Sequence, residues 1–218
     1  MTEFNLYEYE DKLYEKGITY IAGIDEAGRG PLAGPVVAAA VILKKGAKLS
    51  YVDDSKKLTE KQREKALTEI KKHALAIGIG ISSVEEIDRI NIYRAAREAM
   101  KSAISQLKIK PEYLLIDAMP IEIDIPSSSI IKGDQKSISI AAASIVAKTT
   151  RDMYMIEMDK VFPKYNFKQH KGYGTKEHLE LIKKYGYTPI HRKTYEPIKS
   201  MIKEELEKKY KKHTLFDE

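Results

Sequence analysis

The sequence of 218 residues is 43% hydrophobic and 32% charged, with a formal net charge of +6, which is typical of a folded globular protein and excludes a disordered chain. It contains no cysteine, which excludes disulfides, a thiolate nucleophile and cysteine-ligated zinc. No apolar run approaches the ~20 residues that span a bilayer, and the acidic first segment does not resemble a signal peptide, so we expect a cytoplasmic protein with no membrane partner.

The spacing of apolar residues predicts strands and helices that alternate along most of the chain. Thr59 and Gln62 have the spacing of a capping box at the start of one helix. This order of elements predicts a mixed α/β sheet covered by helices. In chain order we predict a helix at 4–14, strands at 18–24 and 36–43, a helix at 59–73, a strand at 75–81, a helix at 84–107, strands at 113–116 and 129–132, and helices at 137–160, 175–185 and 197–212.

Acidic residues stand where predicted strands end. Asp25 and Glu26 directly follow an apolar strand, Asp117 closes YLLID, and Asp134 lies in KGDQKS. Burying such charges is costly unless they are paired or bind a metal, and carboxylate oxygens are the ligands that Mg²⁺ and Mn²⁺ prefer. Taken singly, Asp117 and Asp134 fit a turn or capping role better, whereas the adjacent pair already favours a functional role.

A glycine- and proline-rich loop, GRGPLAGP, follows the acidic pair. Its glycines let the backbone come close to a ligand. The spacing of Gly28, Gly30 and Gly34 is G-x-G-x-x-x-G, which differs from a dinucleotide fingerprint, and the loop leads into a strand where such a fingerprint requires a helix. The sequence therefore does not indicate a nucleotide cofactor.

These residues carry a family resemblance. GIDEAGRGPLAGPVVAAAVIL resembles the signature of bacterial ribonuclease HII, and DDSKKLTEKQRE, YLLIDA, KGDQKSISIAAASIVAKTTRD and HKGYGT resemble further segments of that family in the same order. Together they span about residues 18–195. The sister group, ribonuclease HIII, typically carries G-K-G and a long additional N-terminal domain, so ribonuclease HII is the better match.

The resemblance implies an RNase H-like α/β fold, with a mixed central sheet of about five strands flanked by helices and a small C-terminal helical extension. It divides the chain into a lead-in helix at 1–17, a catalytic core at 18–160 and a basic helical region at 161–218 that completes the substrate cleft. We expect a monomer, and we leave a replication clamp open as a partner.

The resemblance also implies an endoribonuclease that hydrolyses the RNA strand of RNA/DNA hybrids. It would also cut on the 5′ side of single ribonucleotides in duplex DNA, which are RNA–DNA junctions, leaving 5′-phosphate and 3′-hydroxyl ends. Such an enzyme serves ribonucleotide excision and RNA primer removal. Two divalent ions, Mg²⁺ or Mn²⁺, would be held by Asp25, Glu26, Asp117 and Asp134.

Substrate recognition is implied for the glycine loop and for HKGYGT. Gly28, Arg29 and Gly30 would sense the ribose 2′-hydroxyl through the backbone, and Arg29 would contact a phosphate or form a structural salt bridge. Tyr173 would pack on the deoxyribose that follows the ribonucleotide. The candidate phosphate contacts are Lys56, Lys57, Lys136 and Lys148, each also explained as a solvated lysine.

Several features remain open between a functional and a structural role. Asp152 is either a fifth metal ligand or a partner of Arg151 or of a C-terminal basic residue, and His170 either binds phosphate or lies at the surface. Residues 160–218 hold 15 Lys and Arg against 8 Asp and Glu, which fits a nucleic-acid partner or a solvated helix face. The alternative functions are an inactive nucleic-acid-binding protein of this fold and another RNase H-like nuclease or transposase with a different substrate, which activity on all-DNA duplexes would favour.

Overall fold

The centre of the fold is a mixed five-stranded sheet. β2 is antiparallel to β1 and β3, whereas β4 is parallel to β1 and β5, so that the order across the sheet is 3-2-1-4-5. This confirms the predicted sheet. The computed structural model describes residues 5–52 and 58–214, and its strands are β1 (Ile21–Ala27), β2 (Val36–Leu43), β3 (Ala74–Ser82), β4 (Tyr113–Asp117) and β5 (Ser127–Ile130).

Helices surround this sheet, and within the described ranges none of them is both long and apolar enough to cross a membrane. The predicted capping box is confirmed. The Thr59 amide donates to the side-chain oxygen of Gln62, and the Gln62 amide donates to the Thr59 hydroxyl. The helices are α1 (Glu8–Glu15), α2 (Glu60–His73), α3 (Val84–Ile90), α4 (Ile92–Ser105), α5 (Ile138–Val161), α6 (Phe167–His170), α7 (Lys176–Tyr185) and α8 (Ile198–Thr214).

Several predicted elements differ from the structure. The strand expected at 18–24 is β1, three residues later at Ile21–Ala27, so Asp25 and Glu26 lie within the strand and not after it. The single helix expected at 84–107 is divided into α3 and α4 at Asn91, whose backbone has a φ of 68° and whose side chain accepts hydrogen bonds from the Tyr93 and Arg94 amides to cap α4. The strand expected at 129–132 is β5, two residues earlier, where it pairs in parallel with β4.

α4 and α5 cover opposite faces of the sheet. All residues of β2 are buried, and successive side chains of a strand point to opposite faces. Ala38 and Ala40 belong to the apolar cluster that includes Met100 of α4, whereas Ala39 belongs to the one that includes Ala142 of α5. The alanine-rich start of α5 therefore packs directly on the central strands.

α5 approaches the sheet very closely at Gly23 in β1. A Cβ atom at this position would lie 2.0 Å from the carbonyl carbon of Ser139, which leaves no room for any side chain. Asp25 is two residues further along and faces the same helix, where the Ser144 hydroxyl forms a hydrogen bond with its carboxylate. The glycine therefore fixes the distance between Asp25 and α5.

Gly23→Ala is expected to lower the free energy of unfolding by about 3 kcal/mol, because the methyl group would push against backbone atoms that have little freedom to move. Urea denaturation measures this change. Gly30→Ala is a matched control, since its methyl group would meet only a Tyr173 ring carbon at 3.9 Å and should change stability by less than about 0.5 kcal/mol. Equal losses in the two variants would contradict the packing argument.

Candidate active site

The adjoining ends of β1 and β4 bring carboxylates together. In this parallel pair Ile24 is in register with Ile116, so that Asp25 and Asp117 follow at equivalent positions and point to the same face. Glu26 is the next residue of β1, just before the strand leads into the glycine loop. The signal in the sequence, an acidic residue at the end of an apolar strand, corresponds to this shared edge.

These three carboxylates line a cleft of about 310 Å³ together with the glycine loop. Asp25 is buried, while Tyr173 closes the opposite side with 42% of its surface exposed. Arg29 extends from the loop, and its Nη1 lies 3.4 Å from Glu26 Oε1. The lining residues are Asp25, Glu26, Ala27, Gly28, Arg29, Gly30, Asp117, Ser144, Lys148 and Tyr173.

Mutual repulsion and burial act on these acidic groups. Burial, with the neighbouring charges of Glu26 and Asp117, holds the pKa of Asp25 well above its usual value. Burial also raises the pKa of Glu26 to about 7, against the opposing effect of Arg29 and with a further increase from Asp117. The cleft therefore binds protons unusually well and would be stabilised by added positive charge.

The chemistry of the donor set fits a divalent cation. Glu26 Oε2 is buried and has no hydrogen-bond partner in the part of the chain that the structure describes, which leaves a carboxylate oxygen for a ligand. In their present rotamers, no three acidic or histidine side chains within residues 5–52 and 58–214 converge closely enough to enclose one ion. Asp25, Glu26 and Asp117 thus supply suitable oxygens on a common cleft without forming a closed cage.

Asp134 lies beside the cleft and not in its lining. It belongs to a short 3₁₀ turn (Gly133–Gln135) and is buried. The Gly133 amide donates a hydrogen bond of 2.7 Å to Asp117 Oδ1, so this turn supports the end of β4 directly. A metal-binding role for Asp134 stays a prediction.

Two buried arginines bind the backbone of the glycine loop, and neither of them is among the residues predicted for the site. Arg151 of α5 donates to the carbonyl oxygens of Ala33 (2.9 Å), Pro35 (3.0 Å) and Lys171 (2.9 Å). Burial lowers its pKa to about 10. Arg192 binds further carbonyl groups of the same loop. These arginines join the glycine loop to the segment that carries Tyr173.

Three buried histidines support that segment. The Thr188 amide donates to His191 Nδ1 (2.9 Å), so His191 Nε2 carries the proton and donates to His178 Nε2 (3.0 Å). His178 Nδ1 then donates to the carbonyl oxygen of Tyr173 (2.9 Å). This arrangement needs neutral rings, and burial lowers the pKa of His178 to about 4 and that of His191 to about 3.

The expectation for His170 was wrong in both of its alternatives. The ring is buried, its Nε2 donates to the Tyr165 carbonyl oxygen (2.8 Å), and its Nδ1 accepts from the Gly172 amide (3.2 Å). It is stacked on His178 with ring centroids 4.2 Å apart. It is therefore neither at the surface nor free to bind phosphate.

The remaining basic candidates are divided between the cleft and its surroundings. Lys148 lines the cleft and forms an ion pair of 2.6 Å with Asp152, whose other oxygen lies 3.7 Å from Arg63. Asp152 is thus paired, although not with Arg151 or with a C-terminal residue as expected. Lys136 is not in the cleft lining. The predicted phosphate contacts Lys56 and Lys57 lie outside the described residues.

Known sequences share this arrangement of segments. The sequence model of a family described as ribonuclease HII matches residues 22–198, which is most of the chain. The chain belongs to the ribonuclease HII family. It is accordingly an endonuclease of the RNase H type that hydrolyses the RNA of RNA/DNA hybrids. This confirms the resemblance found in the sequence motifs.

Individual relatives of the ribonuclease HII family agree. Ribonuclease HII of Acholeplasma laidlawii is 58% identical over 94% of this chain and 100% of its own length. The crystal structure of ribonuclease H2 from Pyrococcus horikoshii has a TM-score of 0.71 at 27% identity, covering 83% of this chain and 96% of that one. Ribonuclease HII of Archaeoglobus fulgidus, solved in complex with PCNA, has a TM-score of 0.70 at 28% identity, covering 81% and 95%.

Proposed function

We propose that this endonuclease cuts on the 5′ side of ribonucleotides by two-metal-ion hydrolysis at the cleft between β1 and β4. The observation that carries the proposal is the convergence of Asp25, Glu26 and Asp117 beside the glycine loop. Asp134, from the adjoining 3₁₀ turn, would complete the ligand set. Two divalent cations, Mg²⁺ or Mn²⁺, would supply an activated water and neutralise the leaving oxygen of an in-line displacement.

The acidic residues have distinct positions for this task. Asp25 is close enough to both Glu26 and Asp117 to be repelled by them, and it would be the carboxylate that helps to hold both ions. Glu26 offers its unpartnered Oε2, and the Gly133 amide orients Asp117 through Oδ1. Water attacks the phosphorus and the 3′ oxygen of the preceding nucleotide leaves. The products are a 5′-phosphate on the ribonucleotide and a 3′-hydroxyl upstream.

The two walls of the cleft would select the substrate. Gly28 and Gly30 carry no side chains, so a ribose can approach the loop backbone and place its 2′-hydroxyl there. Arg29 is half exposed at the rim, where its guanidinium would contact a phosphate. The exposed ring of Tyr173, opposite Gly30, would pack on the next sugar. Together these contacts suit RNA–DNA junctions in ribonucleotide excision and primer removal.

The test is cleavage of a labelled DNA duplex that contains one ribonucleotide, with Mg²⁺, with Mn²⁺ and with chelator. A metal-dependent cut 5′ of the ribonucleotide, with an all-DNA duplex left intact, is the expected result. Binding without any cut would favour the inactive nucleic-acid-binding protein. Cleavage of the all-DNA duplex would favour the DNA nuclease.

Tyr173→Ala is expected to reduce cleavage at a single embedded ribonucleotide about tenfold, and cleavage of a long RNA/DNA hybrid much less. A single ribonucleotide offers only one productive register, whereas a hybrid offers many, and loss of the packing of one aromatic ring on a sugar should cost about 1 kcal/mol, at the low end of the range for aromatic stacking on a base. Initial rates on the two substrates measure the difference. Tyr93→Ala is a control of equal exposure (43%) on α4, outside the cleft. Equal losses on both substrates would count against the junction role.

A further inference from the structure

Arg192 is an unusual residue because its charge is fully buried without an ion-pair partner among the described residues. Burial lowers its pKa, because the charged form loses its contact with water. A buried guanidinium is costly unless its donors are satisfied. Here the acceptors are all uncharged carbonyl or hydroxyl oxygens, and most belong to the glycine loop.

The hydrogen bonds of Arg192 converge on the two peptide groups of G-R-G. Nη2 donates to the Gly28 oxygen (2.5 Å) and Nη1 to the Arg29 oxygen (2.9 Å). Nε and Nη2 also donate to the Gly34 oxygen at 3.0 and 2.9 Å. Only the planar fork of arginine offers this many donors in fixed directions.

Tyr195 strengthens the same contact. Its hydroxyl donates to the Arg29 oxygen (2.9 Å), and Arg192 Nη1 donates to that hydroxyl at 3.3 Å. The guanidinium carbon lies 5.1 Å from the centroid of the tyrosine ring, in cation–π contact. The two side chains form one unit beneath the loop.

The planarity of the peptide bond converts this contact into a direction for the amides. In a trans peptide the N–H points away from the C=O of the same unit. Because the Gly28 and Arg29 oxygens face the buried guanidinium, the amides of Arg29 and Gly30 point away from it, toward the cleft that these residues line. Among the described residues, neither amide donates to a protein acceptor.

We propose that Arg192 and Tyr195 are positioning residues for ribose discrimination, which hold the Arg29 and Gly30 amides at the angle needed to donate to a 2′-hydroxyl oxygen. This inference rests on the proposed function, in which the glycine loop senses the ribose. Deoxyribose has no such oxygen and would leave the amides unpaired, and sites built this way reject the analogue strongly. Looser amides would discriminate less.

The experiment measures discrimination in Mg²⁺ as a ratio of two constants. The ratio is the Ki of an all-DNA duplex acting as a competitor divided by the KM of a duplex with one ribonucleotide. Tyr195→Phe should lower this ratio about five- to tenfold through a higher KM, with the Ki unchanged. Arg192→Lys keeps the charge but loses the fork, and should lower the ratio about a hundredfold. Thermal melting establishes that each variant is folded.

Tyr165→Phe is the matched control, because it also removes a hydroxyl-to-carbonyl hydrogen bond, the one to Gly186 (2.8 Å), in the same region. Its ratio should equal that of the unmodified enzyme. If Arg192→Lys does not fold, Tyr195→Phe decides the matter alone. The positioning role would be overturned if Tyr195→Phe folds and its ratio is unchanged, including the case in which KM and Ki rise by the same factor. No preference for the ribonucleotide in the unmodified enzyme would instead overturn the proposed function.

Discussion

Asp25→Asn is expected to lower the cleavage rate on an RNA/DNA hybrid by about a thousandfold or more, while making the metal-free protein more stable. The loss of rate follows from the proposed role of Asp25 as a ligand of both cations, because stabilisation of transition-state charge by bound metal is worth several kcal/mol. The gain in stability follows from the burial and repulsion that raise the pKa of this carboxyl, since the neutral amide removes both penalties.

The stability gain predicted for Asp25→Asn also depends on pH, because a neighbouring carboxyl titrates in the folded protein. Glu26 has a pKa of about 7 in the folded protein against 4.5 in the unfolded chain, so its contribution to stability is full below pH 4.5 and is lost as the pH rises through 7. The loss is on the order of 3 kcal/mol. Asp25 is a second carboxyl that ionises against burial and repulsion, so the stability advantage of the variant, which lacks this carboxyl, should grow as the pH rises.

Melting temperatures with chelator and with millimolar Mg²⁺ measure the effect. We expect Mg²⁺ to raise the melting temperature of the unmodified protein more than that of the variant, because binding stabilises the folded state by mass action. Asp124→Asn, at an exposed position outside the cleft, is the control for simple charge removal. A destabilised Asp25→Asn protein, or one that retains its activity, would contradict the assignment.

The second large effect is expected from His178 and His191. Their folded pKa values of about 4 and about 3 lie below the unfolded value of 6.5, so the unfolded chain binds more protons as the pH falls below 6.5. Stability should therefore fall between about pH 6.5 and 4. With allowance for the coupling of the two rings, the loss is on the order of 3 kcal/mol.

His191→Gln should flatten this acid dependence, because glutamine binds no proton in this range. Urea denaturation between pH 4.5 and 7.5 measures it, with His73→Gln in α2 as a control outside the cluster. The raised carboxyl pKa values in the cleft make stability rise as the pH falls, which opposes the effect of the histidines. The result is therefore the difference in pH dependence between His191→Gln and the unmodified protein. An unchanged slope in His191→Gln would show that the histidines do not control the acid response.

Local pattern was sufficient for most of the fold and for the acidic residues. The capping box at Thr59 and the apolar run of β2 are read from neighbouring residues, and the pair Asp25–Glu26 stands out because charge directly follows an apolar strand. The division of the long helix at Asn91 was missed, because its positive φ depends on how α3 and α4 pack around it and not on helical periodicity.

The supporting residues of the site could not be found in this way. Arg151 lies in a helix and Arg192 in the polar segment HRKTY, where a solvated side chain is the ordinary expectation. Each is buried because most of its partners are carbonyl groups of the glycine loop, more than a hundred residues away in the chain. His170 was misjudged for the same reason, since its burial depends on the packing of the C-terminal region.

The bonds from Arg192 to the glycine loop also have a consequence for synthesis. They join residues 158 to 164 positions apart, so the loop near the start of the chain lacks these donors until residue 192 has left the ribosome. A nascent chain that extends past Asp134 already contains all four acidic residues, but its glycine loop does not yet have the hydrogen bonds from Arg192. All five strands precede residue 192 in the chain, so the residues of the sheet would emerge before the donors that hold the glycine loop.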